Sequence, residues 1–193
     1  MSLGEKYIPD IYEIDDIDKC IAEYPPYYER SFTKRYCVEF NKENLNLDTC
    51  ISMYSSKLCM IFLAEGHSII QEGKSIKQFD FKVGKEDRLA NSTGGKYKKK
   101  AQRLQRDSVI CFIETTDGNK YPVKAGIKGR LIDINPAVVK NPSISIEKHK
   151  STGYIALIHP ENFRSPPEEV LSGLLTKNDY ENVLSSCQNY KTE

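Results

Sequence analysis

From residue 50 onward the chain is a succession of short apolar runs broken by turn residues, a pattern that points to an antiparallel fold. Residues 50–54 and 58–64 are joined by Ser55, Ser56 and Lys57; residues 75–83, 108–114, 120–125, 131–134 and 154–158 follow. Thr115, Thr116, Asp117, Gly118 and Asn119 separate two of these runs. Asp-Gly in such a place is a strong hairpin signal, because glycine accepts the positive φ of a tight turn. Many short strands with turns at small spacing predict a β-barrel or sandwich. At 193 residues the chain suits one domain with extensions, and its 12 Tyr and 7 Phe supply aromatic bulk that fits strands.

The two ends differ in character from this middle. Residues 1–26 close on Pro25 and Pro26, and within residues 1–24 seven carboxylates face only Lys6 and Lys19, a local charge of −5. They read as an acidic N-terminal arm, residues 27–160 as the barrel domain, and residues 161–193 as a helical C-terminal tail. In the tail, Ser165 is the expected cap, prolines 166 and 167 fill the first turn, and Glu168 and Glu169 meet the positive end of the helix dipole. Val170, Leu171, Leu174 and Leu175 give an apolar face, and Gly173 weakens continuity. Thr176 with Asp179 marks a second helix start, carrying Tyr180, Val183 and Leu184. The tail is expected to pack on the chain's own sheet.

Several chemistries find no support. Six cysteines (Cys20, Cys37, Cys50, Cys59, Cys111, Cys187) form no CxxC pair, and the three histidines (His67, His149, His159) are far apart, so no zinc-ligand spacing exists. No nucleophile, base and orienting group stand in a recognisable local signature, and His67 is expected to hydrogen-bond within the turn that follows a strand. Gly94 and Gly95 precede Lys96 without the spaced first glycine of a phosphate loop. No run approaches the ~20 apolar residues that span a bilayer. The expectation is a non-enzymatic intracellular protein without cofactor, metal or membrane contact.

Charge is concentrated instead. Residues 95–106 hold Lys96, Lys98, Lys99, Lys100, Arg103 and Arg106 with no acid, in a chain whose formal net charge is +1. The polar, glycine-punctuated stretch before them makes residues 84–107 read as an insertion in the barrel. Residues 97–105 are good helix formers with Tyr97, Ala101 and Leu104 on one face, which predicts an inserted helix presenting its cations to an acidic partner. An acidic protein surface, nucleic acid and a nuclear-import receptor all fit this patch, and the residues leave the three open. A weak internal echo adds to the barrel reading: residues 67–73 resemble residues 136–142, each with a turn before two aliphatics, as in a barrel of two similar halves.

Two resemblances follow from motifs. Residues 129–135, 142–144 and 153–156 resemble the closing half of the biotinyl/lipoyl carrier domains, the glycine-cleavage H protein above all. That implies a flattened β-barrel, the barrel-sandwich hybrid. The second is more specific. Residues 63–67 (Leu63, Ala64, Glu65, Gly66, His67), 73–77, 95–98 with Ala101, Gln102 and Leu104, 129–131, 142–144, 153–156, and 173–176 with Tyr180 resemble, in this order, the Abitram (Simiate) family of actin-binding transcription modulators. The likeness covers residues 28–184 and leaves out the acidic arm. It implies an H-protein-like barrel present in nucleus and cytoplasm, including actin-rich cell projections, that binds actin and promotes filament growth. Nucleic acid or a nuclear protein is the alternative partner.

A carrier role is the further alternative. Carrier domains place the acylated lysine at a hairpin tip about eleven residues before the glycine that Gly129 matches. Counting back reaches Gly118, which has no amine, and Lys120 falls on the strand.

Overall fold

The computed structural model describes residues 31–39, 46–94 and 100–189; the acidic arm lies outside them, as do Lys96, Lys98 and Lys99. The elements below belong to the compact unit that begins at Phe32. Its larger sheet has six strands in the order β1-β2-β3-β11-β10-β7: Phe32–Cys37 (β1), Thr49–Tyr54 (β2), Cys59–Leu63 (β3), Arg103–Leu104 (β7), Gly129–Ile134 (β10) and Ala156–Pro160 (β11). A three-stranded sheet runs β4-β8-β9, from Ile76–Asp80 (β4), Val109–Thr115 (β8) and Lys120–Lys124 (β9). Lys82–Val83 (β5) and Glu86–Asp87 (β6) form a small ribbon.

The core lies between the two larger sheets. Ile51, Met53, Ile61, Leu131 and Ile158 of one meet Ile110, Ile113, Tyr121 and Val123 of the other in one buried cluster. Alternation along the strands sends Tyr36, Cys50 and Phe62 to the opposite face of the large sheet. This is the flattened, mainly β barrel-sandwich that the sequence predicts, and both expected hairpins form. β2 pairs β3 from Thr49↔Leu63 to Met53↔Cys59, and β8 pairs β9 with Glu114 opposite Lys120. At the tip of the second hairpin Gly118 has φ +85°.

The internal echo is structural. β3 and β10 flank β11, and each runs into one helical turn: Ser68–Gln71 (α1) after His67, and Pro136–Lys140 (α2) after Asn135. In each, the side chain before the helix accepts from the backbone N–H two residues on, His67 Nδ1 from Ile69 (3.2 Å) and Asn135 Oδ1 from Ala137 (3.0 Å). His67 is a buried cap, as its sequence setting suggests. With Nδ1 accepting, the neutral ring carries its proton on Nε2, which has no hydrogen-bond partner.

Burial lowers the His67 pKa to about 4. A lowered pKa on a base means that the unfolded chain takes up the proton first, so stability is complete above pH 6.5 and is lost as pH falls towards 4. The loss attributable to His67 is about 3 kcal/mol. Asp48, whose carboxyl burial pushes up, acts in the opposite direction across its own range. His67→Asn, which repeats the Asn135 cap, is expected to remove most of the His67 slope in urea unfolding between pH 7 and 4. Equal slopes in wild type and variant would contradict the assignment.

The tail crosses the β1 edge of the large sheet. Leu171 and Leu174 join the main core, Leu175 exchanges backbone hydrogen bonds with Tyr36 (2.9 Å each way), and Tyr180 seals the opposite face. Its two helices are Pro167–Val170 (α4) and Lys177–Asn189 (α5); Ile144–Glu147 (α3) precedes β11. Thr176 and Asp179 form the expected cap of α5, with Thr176 Oγ1 accepting from Asp179 N–H at 3.3 Å. Ser165 is not the cap of α4: Pro166 occupies that position, and no side chain bonds there.

The inserted helix over residues 97–105 is corrected by the structure where it is described. Arg103–Leu104 are strand β7, paired with Gly129 and Arg130, and residues 100–102 are turn, bend and irregular chain. Local helix propensity is a weak preference. Here β10 offers an open edge, Leu131 N–H donates to Gln102 O (2.9 Å), and Leu104 is fully buried, so tertiary pairing prevails.

Candidate functional site: a basic sheet edge

β7 is the terminal strand of the large sheet, and it carries part of the basic segment onto the barrel. Arg103 lies opposite Arg130, and Arg130 lies opposite His159 of β11. Residues opposite one another in an antiparallel pair share a face, so these form a row across the sheet end. Lys128 and Glu161 complete the cleft beside it. Lys128 Nζ lies 2.8 Å from Glu161 Oε2. The Glu161 carboxyl is held below the usual carboxylate range, first by its hydrogen bond to Lys128 and further by the fields of Arg103 and Arg130. One carboxylate of this cleft therefore stands among three cations. On its other side His159 packs against Phe163 (4.7 Å between ring centres), over which the Arg164 guanidinium lies at 5.6 Å.

The chain on either side of the lysine-rich segment is fastened to this edge at Asn91 and Gln102. Asn91 Nδ2 donates to Leu131 O (2.9 Å) where the β10–β11 register shifts, and Asn91 Oδ1 accepts from Gln102 N–H (2.9 Å). Buried Arg88 reaches Gln102 Oε1 (2.8 Å), Val109 O (3.2 Å) and Glu86. Residues 91 and 102 are thus held together.

Of the six basic residues singled out in the sequence, three are described. Lys100 and Arg103 are exposed at the edge. Arg106 also braces the C-terminal tail. Its Nη2 donates to Ser172 O (3.1 Å), and its guanidinium covers Gly173, where a Cβ would come within 3.1 Å of it. Gly173 also has φ +72°, the conformation that favours glycine in the turn before Leu174. Sequence reasoning missed Lys128, Arg130 and Glu161. Lys128 and Arg130 flank Gly129 in a stretch that reads as a fold motif, and only the pairing with β7 brings them to Arg103.

The remaining titratable groups offer no catalytic assembly among the described residues. Burial raises the thiols of Cys50 to about 11 and Cys59 to about 12 and pushes Cys111 up as well, which keeps them protonated. No cluster of His, Cys, Asp and Glu fit to hold a metal occurs among the described residues. None of their helices is long and apolar enough to cross a membrane.

The β8–β9 tip does not fit an attached lipoyl or biotinyl group. Gly118 offers no amine, and Lys120 begins β9 opposite Glu114. The amine nearest in character, Lys74, is half-buried and held by Tyr121 Oη (2.5 Å), Glu72 (2.8 Å) and Asp117 (3.5 Å). A swinging arm needs a free tip amine, and this tip is tied to the barrel instead.

No protein-family model matches the chain. It is similar to Protein Abitram of Xenopus tropicalis, 35% identical over 167 residues that cover 86% of this chain and 90% of that one. It is likewise similar to Protein Abitram of Homo sapiens (36% identical, covering 83% and 87%) and of Drosophila melanogaster (30%, covering 88% and 75%). Among solved structures it resembles a glycine cleavage system H protein from Mycobacterium marinum, with TM-score 0.50 and 12% identity, over 77% of this chain and 94% of that one. At that identity the likeness concerns the fold alone, and it agrees with the barrel-sandwich described above. Identity at the level of the Abitram proteins, over most of both chains, places this protein in the Abitram family.

Proposed function

We propose that the protein is a non-enzymatic interaction module that binds actin, promotes filament growth and modulates transcription, working in both nucleus and cytoplasm, actin-rich cell projections included. The observation that carries this reading is the gathering of Arg103, Lys128 and Arg130 around the carboxylate of Glu161, in a segment where Lys100 is also exposed. Such an edge attracts an acidic surface, speeds its association and loses strength as salt rises. A nucleic-acid-binding adaptor is the second reading. It is favoured by Phe163 with Arg164 over its ring, since an aromatic face beside cations is what unpaired bases stack on.

The test is co-sedimentation with filamentous actin between about 50 and 200 mM salt, with single-stranded DNA as competitor. The expected result is saturable binding to filaments that weakens with salt and yields little to DNA. DNA that binds more tightly than actin, with a steep log–log salt slope, would exchange the two readings.

A further inference from the structure

Two clefts meet at the basic edge, and their charges differ. The smaller holds about 90 Å³ and lies over the pairing of β7 with β10. Its charged lining is Arg103, Lys128, Arg130 and Glu161, a formal charge of +2. Arg103 and Arg130 are directly opposite in register, an arrangement of like charges that costs a strand pair stability. The larger cleft holds about 220 Å³ between the end of β11 and α4, and the Lys128–Glu161 pair (2.8 Å) belongs to both. Its charged lining, Arg106 and Lys128 against Glu161 and Glu169, is balanced. Arg106 is engaged there with Ser172 O (3.1 Å), and Lys128 with Glu161.

This division selects a ligand with a dianionic head and a neutral, polar body. A phosphomonoester carries about −1.5 to −2 at neutral pH, which matches the smaller cleft, whereas a carboxylate brings a single charge. Guanidinium forks bind phosphate oxygens bidentately, and Arg103 and Arg130 present two of them from one face. The Lys128 and Glu161 side chains are 59% and 49% exposed, so solvent screens their pairing and Lys128 can turn to a dianion at little cost. In the larger cleft Glu161 and Glu169 repel a second phosphate and accept from hydroxyl groups, beside the Asn162 amide and the apolar wall of Ile127 and Pro160. We propose that the two clefts form one site for a sugar phosphate, its phosphate held by Arg103, Lys128 and Arg130 and its hydroxylated body lying against Glu169 and Asn162. The site goes beyond the proposed macromolecular partner, and its test uses neither actin nor nucleic acid, so either reading can fail alone.

The test is a titration of the full chain at low salt, followed by amide resonances, with glucose 6-phosphate, glucose 6-sulfate, inorganic phosphate and glucose as probes. Glucose 6-phosphate is expected to bind about tenfold more tightly than glucose 6-sulfate, which keeps the body but carries one charge, and to shift Arg103, Gly129 and Arg130. It is also expected to bind several-fold more tightly than inorganic phosphate, with glucose alone showing no saturable binding. Arg103→Gln/Arg130→Gln should abolish the preference for phosphate over sulfate at nearly unchanged Tm. Glu169→Ala should weaken glucose 6-phosphate several-fold and leave inorganic phosphate as before. Equal affinity for the phosphate and sulfate esters would overturn the inference, as would shifts confined to residues outside the two clefts. Inorganic phosphate that binds as tightly as the sugar phosphate would also overturn it, because the larger cleft would then contribute nothing.

Discussion

Tyr180→Ala is expected to detach the C-terminal helix from the barrel and to cost about 3–5 kcal/mol in denaturant unfolding. The ring is almost fully buried and stacks on Tyr36 at 4.2 Å with planes 8° apart. Its hydroxyl donates to Asp48 Oδ2 (2.9 Å) and accepts from Gly66 N–H (3.0 Å), joining residues 132 and 114 positions away. Alanine leaves a cavity, a buried carboxylate short of a donor and a buried N–H without an acceptor. Tyr180→Phe separates these effects, because it keeps the ring and loses about 1–3 kcal/mol for the unsatisfied groups alone. Raised amide exchange across α5 in the alanine variant is the second readout. A loss below about 1 kcal/mol with α5 still protected would show that the helix docks by other contacts.

The same junction explains why some motifs are legible without a chemistry attached to them. Gly66 and Tyr180 belong to separate blocks of the sequence pattern, yet a Cβ on Gly66 would stand 2.4 Å from Tyr180 Oη and from Leu184 Cδ2. Gly129 is equally constrained: its Cβ would meet His159 O at 2.5 Å and Pro160 Cα at 3.0 Å, so β10 approaches β11 only as glycine. These residues preserve packing, and a motif made of them identifies the fold and family rather than a reactive centre.

Local patterns held where local physics decides. The Asp117–Gly118 hairpin, the Thr176–Asp179 cap and the apolar face of Leu171 and Leu174 all depend on near neighbours, and the structure contains each. The helix expected over residues 97–105 gave way over its described part because Ala101 and Leu104 are buried and β10 offers backbone partners, which no window of sequence displays. For the same reason half of the candidate site was hidden. Lys128 and Arg130 lie far beyond Arg103 in the chain and meet it only through strand pairing, and Glu161 enters from the turn after β11.

The direct test of function is charge reversal at the edge. Lys99→Glu/Lys100→Glu/Arg103→Glu replaces three cations by three carboxylates; Lys100 and Arg103 are exposed, and Arg103 is one of the three cations facing Glu161. Exposed substitutions of this kind usually change stability by no more than about 0.5 kcal/mol each, so the fold should persist. An acidic surface that was attracted is then repelled, and affinity for filamentous actin at low salt should fall more than about tenfold. The measurement to make is co-sedimentation of wild type and the triple variant with filamentous actin at low and physiological salt, with Tm recorded for both. The expected result is wild type in the pellet and the variant in the supernatant at nearly equal Tm. Equal pelleting of the two proteins, or no pelleting of either, would contradict the assignment of this edge as the actin-binding surface.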